Sequence, residues 1–171
     1  MKPTITINKD MTKEFNDIIK KFKNDAVLIG IPEEDTARKK TDDDSPQPIT
    51  NAALLAINEF GSTANNIPPR PVMAIGIRRA QNEIAEQYKK AVINAFKVGL
   101  NALDIYYNRA GIIASNSVKK VINDQDGIDG PAEATLLARL RRKPTPFRGQ
   151  KALIVTGQMR NAITYVVKGE T

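Results

Sequence analysis

From Met73 to Ile122 apolar residues recur every three or four positions in two successive stretches, and the stretches meet at Gly99. In the first, Met73, Ile77, Ala80, Ile84, Tyr88, Ala91 and Ala95 share one side, with Arg78, Arg79, Glu83, Glu86, Lys89 and Lys90 mostly elsewhere. In the second, Leu103, Tyr106, Tyr107, Ala110, Ile113, Ala114, Val118, Val121 and Ile122 repeat the pattern, opened by Asn101 and Asp104 as a weak capping box. Two long helices with apolar stripes must bury them against each other or a third element. A glycine join therefore predicts an α-hairpin or a bent pair packed on whatever sheet the rest of the chain supplies.

The flanking segments supply a small sheet. Thr4, Ile5, Thr6 and Ile7 alternate as in a short strand. Phe15, Ile18, Ile19 and Phe22 place one apolar face on a helix that Asp10 or Thr12 would cap, and that helix is expected to lie over a sheet. Ala26 to Ile31 is a continuous apolar run ended by Pro32, the pattern of a strand covered on both faces. Thr50 or Asn51 starts a short helix whose Ala53, Leu54, Ile57 and Phe60 face one way and which Gly61 ends. Leu136, Leu137 and Leu140 suggest one more helical turn, TGQMRNA from Thr156 a short helix, and Ile163 to Val167 a final strand. The expected class is α+β: a small antiparallel or mixed β-sheet packed with two long α-helices, plus extended loops or arms. One domain spans residues 1–171, with a flexible loop at 33–48 and a basic extended segment at 123–155.

The chain contains no Cys and no His, which excludes thiolate nucleophiles, disulfides, imidazole acid–base chemistry and most transition-metal sites. No glycine pattern matches a phosphate-cradling loop, and no serine has a partner to activate it. In NDQDGID, Asp124 and Asp126 have the spacing of two calcium ligands, but Asp129 stands where the loop requires glycine and Thr135 where it requires glutamate. No catalytic residue, cofactor or metal ligand is singled out. No apolar run approaches the roughly 20 residues that span a bilayer, so a protein made and used without secretion or a membrane is expected. Lys and Arg number 26 against 19 Asp and Glu, a net charge of +7. Arg139, Arg141, Arg142, Lys143, Arg148 and Lys151 lie in a stretch without an acid between Glu133 and Glu170. They are candidates for docking to an acidic protein surface or to DNA phosphates, and equally for a solvated face.

Three stretches in this order, AVLIGIPEED, then ITNAALLAINEFGS followed by NIPPRPVMAIGI, then IVTGQMRNAITYVV, resemble the tail-completion and neck proteins of tailed bacteriophages, including the lambda Z-like group. The matching positions include Glu59, Phe60, Gly61, Pro69, Pro71, Thr156, Gly157 and Arg160, with Arg70 held inside the Pro-Pro-Arg-Pro segment. Val72, where an aromatic is common in the family, and the charged 33–48 loop depart from the pattern. The resemblance implies a structural virion protein, not an enzyme, that completes the tail and joins it to the head. It implies a ring, six-fold, with genomic DNA passing through. Its neighbours would be a head–tail connector, tail terminator or tail tube; it would be assembled in the host cytoplasm and end in the virion. A tail terminator or head–tail adaptor ring is the alternative within the class, and a basic nucleic-acid-binding module the alternative outside it. On this reading Arg70 is expected to make a bidentate ion pair, or with Glu59 to tie the domain together, and Thr156 to cap the helix that begins at Gly157.

Overall fold

The computed structural model describes residues 11–35, 37, 49–141, 149–154 and 156–169. In chain order the elements are α1 (Thr12–Asn24), β1 (Ala26–Gly30), a 3-10 turn (Glu33–Asp35), α2 (Asn51–Phe60), α3 (Val72–Val98), α4 (Asn101–Asp124), α5 (Glu133–Arg141), α6 (Gln158–Ala162) and β2 (Thr164–Lys168). The chain is α+β.

The α3–α4 hairpin is the frame. At 1.5 Å per residue α3 is about 40 Å long, and Gly99, at φ +101°, reverses the chain into α4. Small residues let the two helices approach: Gly76, Ala80, Ala91 and Ala95 on α3 are buried, as are Ala102, Ala110, Gly111 and Ala114 on α4. The Ser117 hydroxyl donates to the Gly76 carbonyl at 2.8 Å, a further tie between the helices. Ile77, expected inside, is 39% exposed, because the close approach at Gly76 turns that position to the rim. The Asn101–Asp104 box does not form: Leu100 is the N-cap without a side-chain hydrogen bond, and Asp104 instead meets Lys21 at 3.0 Å.

Two apolar clusters lie along the hairpin. One gathers Leu55, Val72, Val118, Val121, Ile122, Met159 and Ile163 near the open end, and the other Ile18, Ala91, Ala95, Ala102, Leu103 and Tyr107 near the turn. In the second, α1 packs on α3, with Phe22 edge-on to Tyr88 at 6.3 Å and Phe15 against Phe96 at 5.5 Å. The helix therefore lies chiefly on the hairpin rather than over a sheet. Met11, not Thr12, is the N-cap and makes no side-chain cap hydrogen bond; Asp10, the other expected cap, lies outside the described residues.

β1 and β2 pair antiparallel, Ala26 opposite Lys168 through Gly30 opposite Thr164. Tyr165 presses on Gly111, where an added Cβ would overlap the ring, and donates its hydroxyl to Asn108 at 3.1 Å. Val27 and Val167 pack into the second cluster. The opposite face is open: the cross-strand pair Leu28 and Val166 is 52% and 47% exposed. This corrects the expectation of a strand covered on both faces, because among the described residues the sheet is a pair of strands and α4 covers only one face of it. The Thr4–Ile7 strand and most of the 33–48 loop lie outside the described residues. The 123–155 segment is less extended than expected: α4 continues to Asp124 and α5 forms a nine-residue helix.

Candidate functional site: the motif groove

Two of the three resemblance-bearing stretches, the one around α2 with the Pro68–Pro71 segment and the one around α6, meet at the open end of the hairpin, while the first forms β1. α2 starts on Thr50, whose Oγ1 accepts the Ala53 amide at 3.1 Å, and stops at Gly61 with φ +76°. An added Cβ at Gly61 would sit 2.8 Å from the Ile67 carbonyl oxygen and 3.0 Å from the Pro69 nitrogen, so only glycine lets the proline segment fold back here. Ser62 and Ile67 exchange backbone hydrogen bonds of 2.9 Å in each direction across that return. The buried face of α2 is Asn51, Leu55 and Asn58, while Phe60, expected on the apolar face, is 82% exposed.

Glu59 and Arg70 act on different partners. The Glu59 carboxylate accepts the amides of Met73 and Ala74, both at 2.9 Å. It is the side-chain cap of α3, whose N-cap Pro71 has none of its own. A carboxylate suits the positive end of a 27-residue helix. The Arg70 backbone amide donates to the Asn58 carbonyl at 2.6 Å, and its buried guanidinium donates from Nε to Asp129 O at 2.9 Å and from Nη2 to Gly130 O at 2.8 Å. The expected bidentate ion pair is replaced by a bidentate grip on two carbonyls, which pins the 127–130 turn. Both residues thus tie the domain together, each to its own partner.

The later stretch is fastened the same way. Arg160 donates from Nη1 to Asn123 Oδ1 at 2.7 Å and from Nε and Nη2 to Asn161 Oδ1, joining α6 to the end of α4. Gly157 takes φ +76° at the N-cap of α6, and Thr156 Oγ1 is 3.4 Å from the Gln158 amide, at the long limit for a hydrogen bond, so the cap expected of Thr156 is weak. Gln125, itself at φ +59°, clasps Ala152 in both directions: its Nε2 donates to Ala152 O at 3.1 Å and its Oε1 accepts the Ala152 amide at 2.5 Å.

The basic cluster divides. Arg139, expected as a docking cation, is 8% exposed, and its Nη1 donates to Gly149 O at 2.7 Å and Lys151 O at 3.0 Å. Burial lowers its pKa from the ordinary arginine value. Its place is inside because α5 turns Leu137 and Leu140 outward, 45% and 49% exposed, and its arginine inward. Arg141 is exposed, and Lys151 is exposed while donating to Asn123 O at 2.5 Å. Arg142, Lys143 and Arg148 lie outside the described residues.

Between α2, the Ile67–Arg70 segment, α5 and residues 152–159 runs a groove of about 300 Å³. Leu54, Ile57, Ile67, Pro131, Leu153 and Met159 form its apolar wall, with Arg70 and Arg139 as the cations along it. Among the described residues no group of three acidic, His or Cys side chains is placed to hold a metal ion, and no helix is long and apolar enough to cross a membrane. The Gln125–Ala152 clasp and the Asn58 carbonyl under Arg70 carry no local sequence signal, since each depends on contacts made only after folding. No family model, no curated protein and no solved structure matches the chain.

Proposed function

We propose that the chain is a structural, non-enzymatic subunit of the neck of a tailed bacteriophage, completing the tail and joining it to the head. The observation that carries this reading is the convergence of two of the three resemblance-bearing stretches on one groove. Asn58, Ile67 and Arg70 face Thr156, Gly157 and Met159 across it, although nearly a hundred residues separate the two sets. Glu59, Arg70 and Arg160 each fasten one end of the hairpin, so the motif describes a rigid frame and not a reaction centre.

A rigid frame with open apolar surfaces suits assembly. Phe60 and the Leu28–Val166 pair are available to neighbouring subunits, and contacts between unlike surfaces that close generate a ring, here six-fold around the DNA channel. The neighbours in this reading are further copies, the head-side connector and the tail terminator or tube, with passing duplex DNA as a non-specific contact. The subunit assembles in the host cytoplasm and stays in the virion.

Deleting the corresponding gene from the phage tests the reading. Filled heads with unattached or overgrown tails are expected; normal infectious particles would rule it out. Imaging its position in the virion separates tail completion from a terminator or adaptor ring.

A further inference from the structure

The groove between α2 and residues 152–159 carries charge of one sign. Among the described residues that line it the charged side chains are Arg70 and Arg139, and no acidic side chain joins them. Arg70 is 8% exposed, and its Nε and Nη2 donate to the carbonyls of Asp129 and Gly130, so the cation is met by dipoles and not by a carboxylate. Its Nη1 donates to no described group. The ion pairs among the described residues lie elsewhere, on Lys21, Arg79 and Lys90. Because a buried charge is ordinarily paired, the groove lacks an anion.

The apolar wall decides which anion fits. Leu54, Ile57, Ile67 and Met159 exclude water from one side of the groove, which strengthens a charge-assisted bond made there. No aromatic side chain is among the described lining residues, so a base has no ring to stack on. A volume of about 300 Å³ is at the small end of ligand pockets and suits one or two side chains rather than a nucleic-acid strand. The wall is also set in advance. Leu153 takes φ +59°, an uncommon conformation for a residue with a side chain, and the Gln125 clasp on Ala152 holds the chain there. A ligand therefore meets a formed surface, and little ordering opposes its binding.

We propose that this groove docks an extended segment of a partner protein in which an aspartate or glutamate stands beside a leucine-sized apolar side chain. The carboxylate meets Arg70, and the apolar side chain lies on the wall made by Leu54 and Ile57. The proposal stands on the charge and shape of the groove and does not rest on the virion reading.

Peptide selection tests it. The full chain is panned against surface-displayed random heptapeptides, and an enriched peptide is titrated into the chain in solution. Enriched sequences are expected to carry Asp or Glu next to Leu, Ile or Met, and replacing that acid by its amide should weaken binding about five-fold or more. Thr135 lines the groove and is exposed, so substitution there should leave the melting curve unchanged. Thr135→Glu sets a like charge against the peptide and should weaken binding about five-fold, whereas the neutral Thr135→Gln should stay within about two-fold of the wild type. Equal affinity for the two folded variants, enrichment of peptides without an acid, or no enrichment over the bare support would each overturn the proposal. So would a short DNA duplex that displaces the peptide and shares its sensitivity to Thr135→Glu, which would identify phosphate as the anion.

Discussion

Gly76 of α3 lies so close to Val118 of α4 that an added Cβ would sit 2.6 Å from the Val118 Cα. The obstacle is backbone, which has no rotamer by which to move aside. Gly76→Ala gains up to about 1 kcal/mol in helix propensity, but forcing the helices apart at a packed crossing costs about 1–3 kcal/mol. A net loss is expected in urea unfolding. Gly130→Ala, where nothing lies within 4 Å of the added atom, serves as the neutral comparison.

Glu59 is the side-chain cap on α3. Glu59→Ala leaves the Met73 and Ala74 amides without their acceptors, and losing a cap with its charge at a helix N-terminus costs about 1–2 kcal/mol. At about 2–4 °C per kcal/mol for a chain of this size, the melting temperature should drop measurably. Glu59→Gln keeps an acceptor oxygen but not the charge, so about half the loss is expected. Equal melting temperatures for the wild type and Glu59→Ala would show that the cap adds nothing to stability.

Much of the fold was legible in the sequence because it rests on local signals. The three-to-four periodicity and Gly99 defined the hairpin, and Thr50 and Gly61 bounded α2, where cap and left-handed glycine act within one turn. Features set by distant contacts were hidden. The run Ala26 to Ile31 looked buried on both faces because composition does not reveal how many strands a sheet has. Phe60 fits the apolar period of α2, yet the helix presents Leu55 and Asn58 to the core and leaves Phe60 in solvent. At the groove, the motif residues were legible as a set, but not their partners: Arg70 and Arg139 close on backbone carbonyls, which every residue possesses and no sequence pattern marks.

Tyr107 is fully buried and its hydroxyl has no hydrogen-bond partner among the described residues. Burial first, and then the nearby Asp25 charge, push its pKa up to about 12 from an ordinary value of 10.0. Between these values the unfolded chain has lost the proton and the folded chain keeps it, so stability is complete below pH 10 and falls as pH rises toward 12. Tyr107→Phe removes an unsatisfied group and is expected to be neutral or stabilising at pH 7. Its advantage over the wild type should grow by at most about 1.4 kcal/mol per pH unit above pH 10. Parallel stability–pH curves for the two proteins would contradict this.

Phe60 makes a prediction that separates folding from assembly. At 82% exposure, replacement by Ser should change unfolding free energy by no more than about 0.5 kcal/mol. If the open surface serves a neighbouring subunit, the same variant assembles poorly while melting normally. Sedimentation of the variant beside the wild type, at concentrations where the wild type assembles, reads the difference; equal assembly would remove Phe60 from the interface.

Arg139 and Arg141 stand two positions apart on α5 and should respond oppositely to loss of charge. Arg139 is 8% exposed and holds the carbonyls of Gly149 and Lys151. Arg139→Gln breaks charge-assisted, part-buried bonds worth about 1.5–3 kcal/mol, so a fall of roughly 3–10 °C in melting temperature is expected. Arg141 lies exposed at the end of the helix, where a surface substitution stays within about 0.5 kcal/mol. A docking role for the basic stretch would give another pattern: both variants would melt normally, and both would weaken binding to an acidic partner or to duplex DNA, with a smaller salt slope. Melting curves of the two purified variants therefore separate an internal fastener from a docking cation before any partner is known.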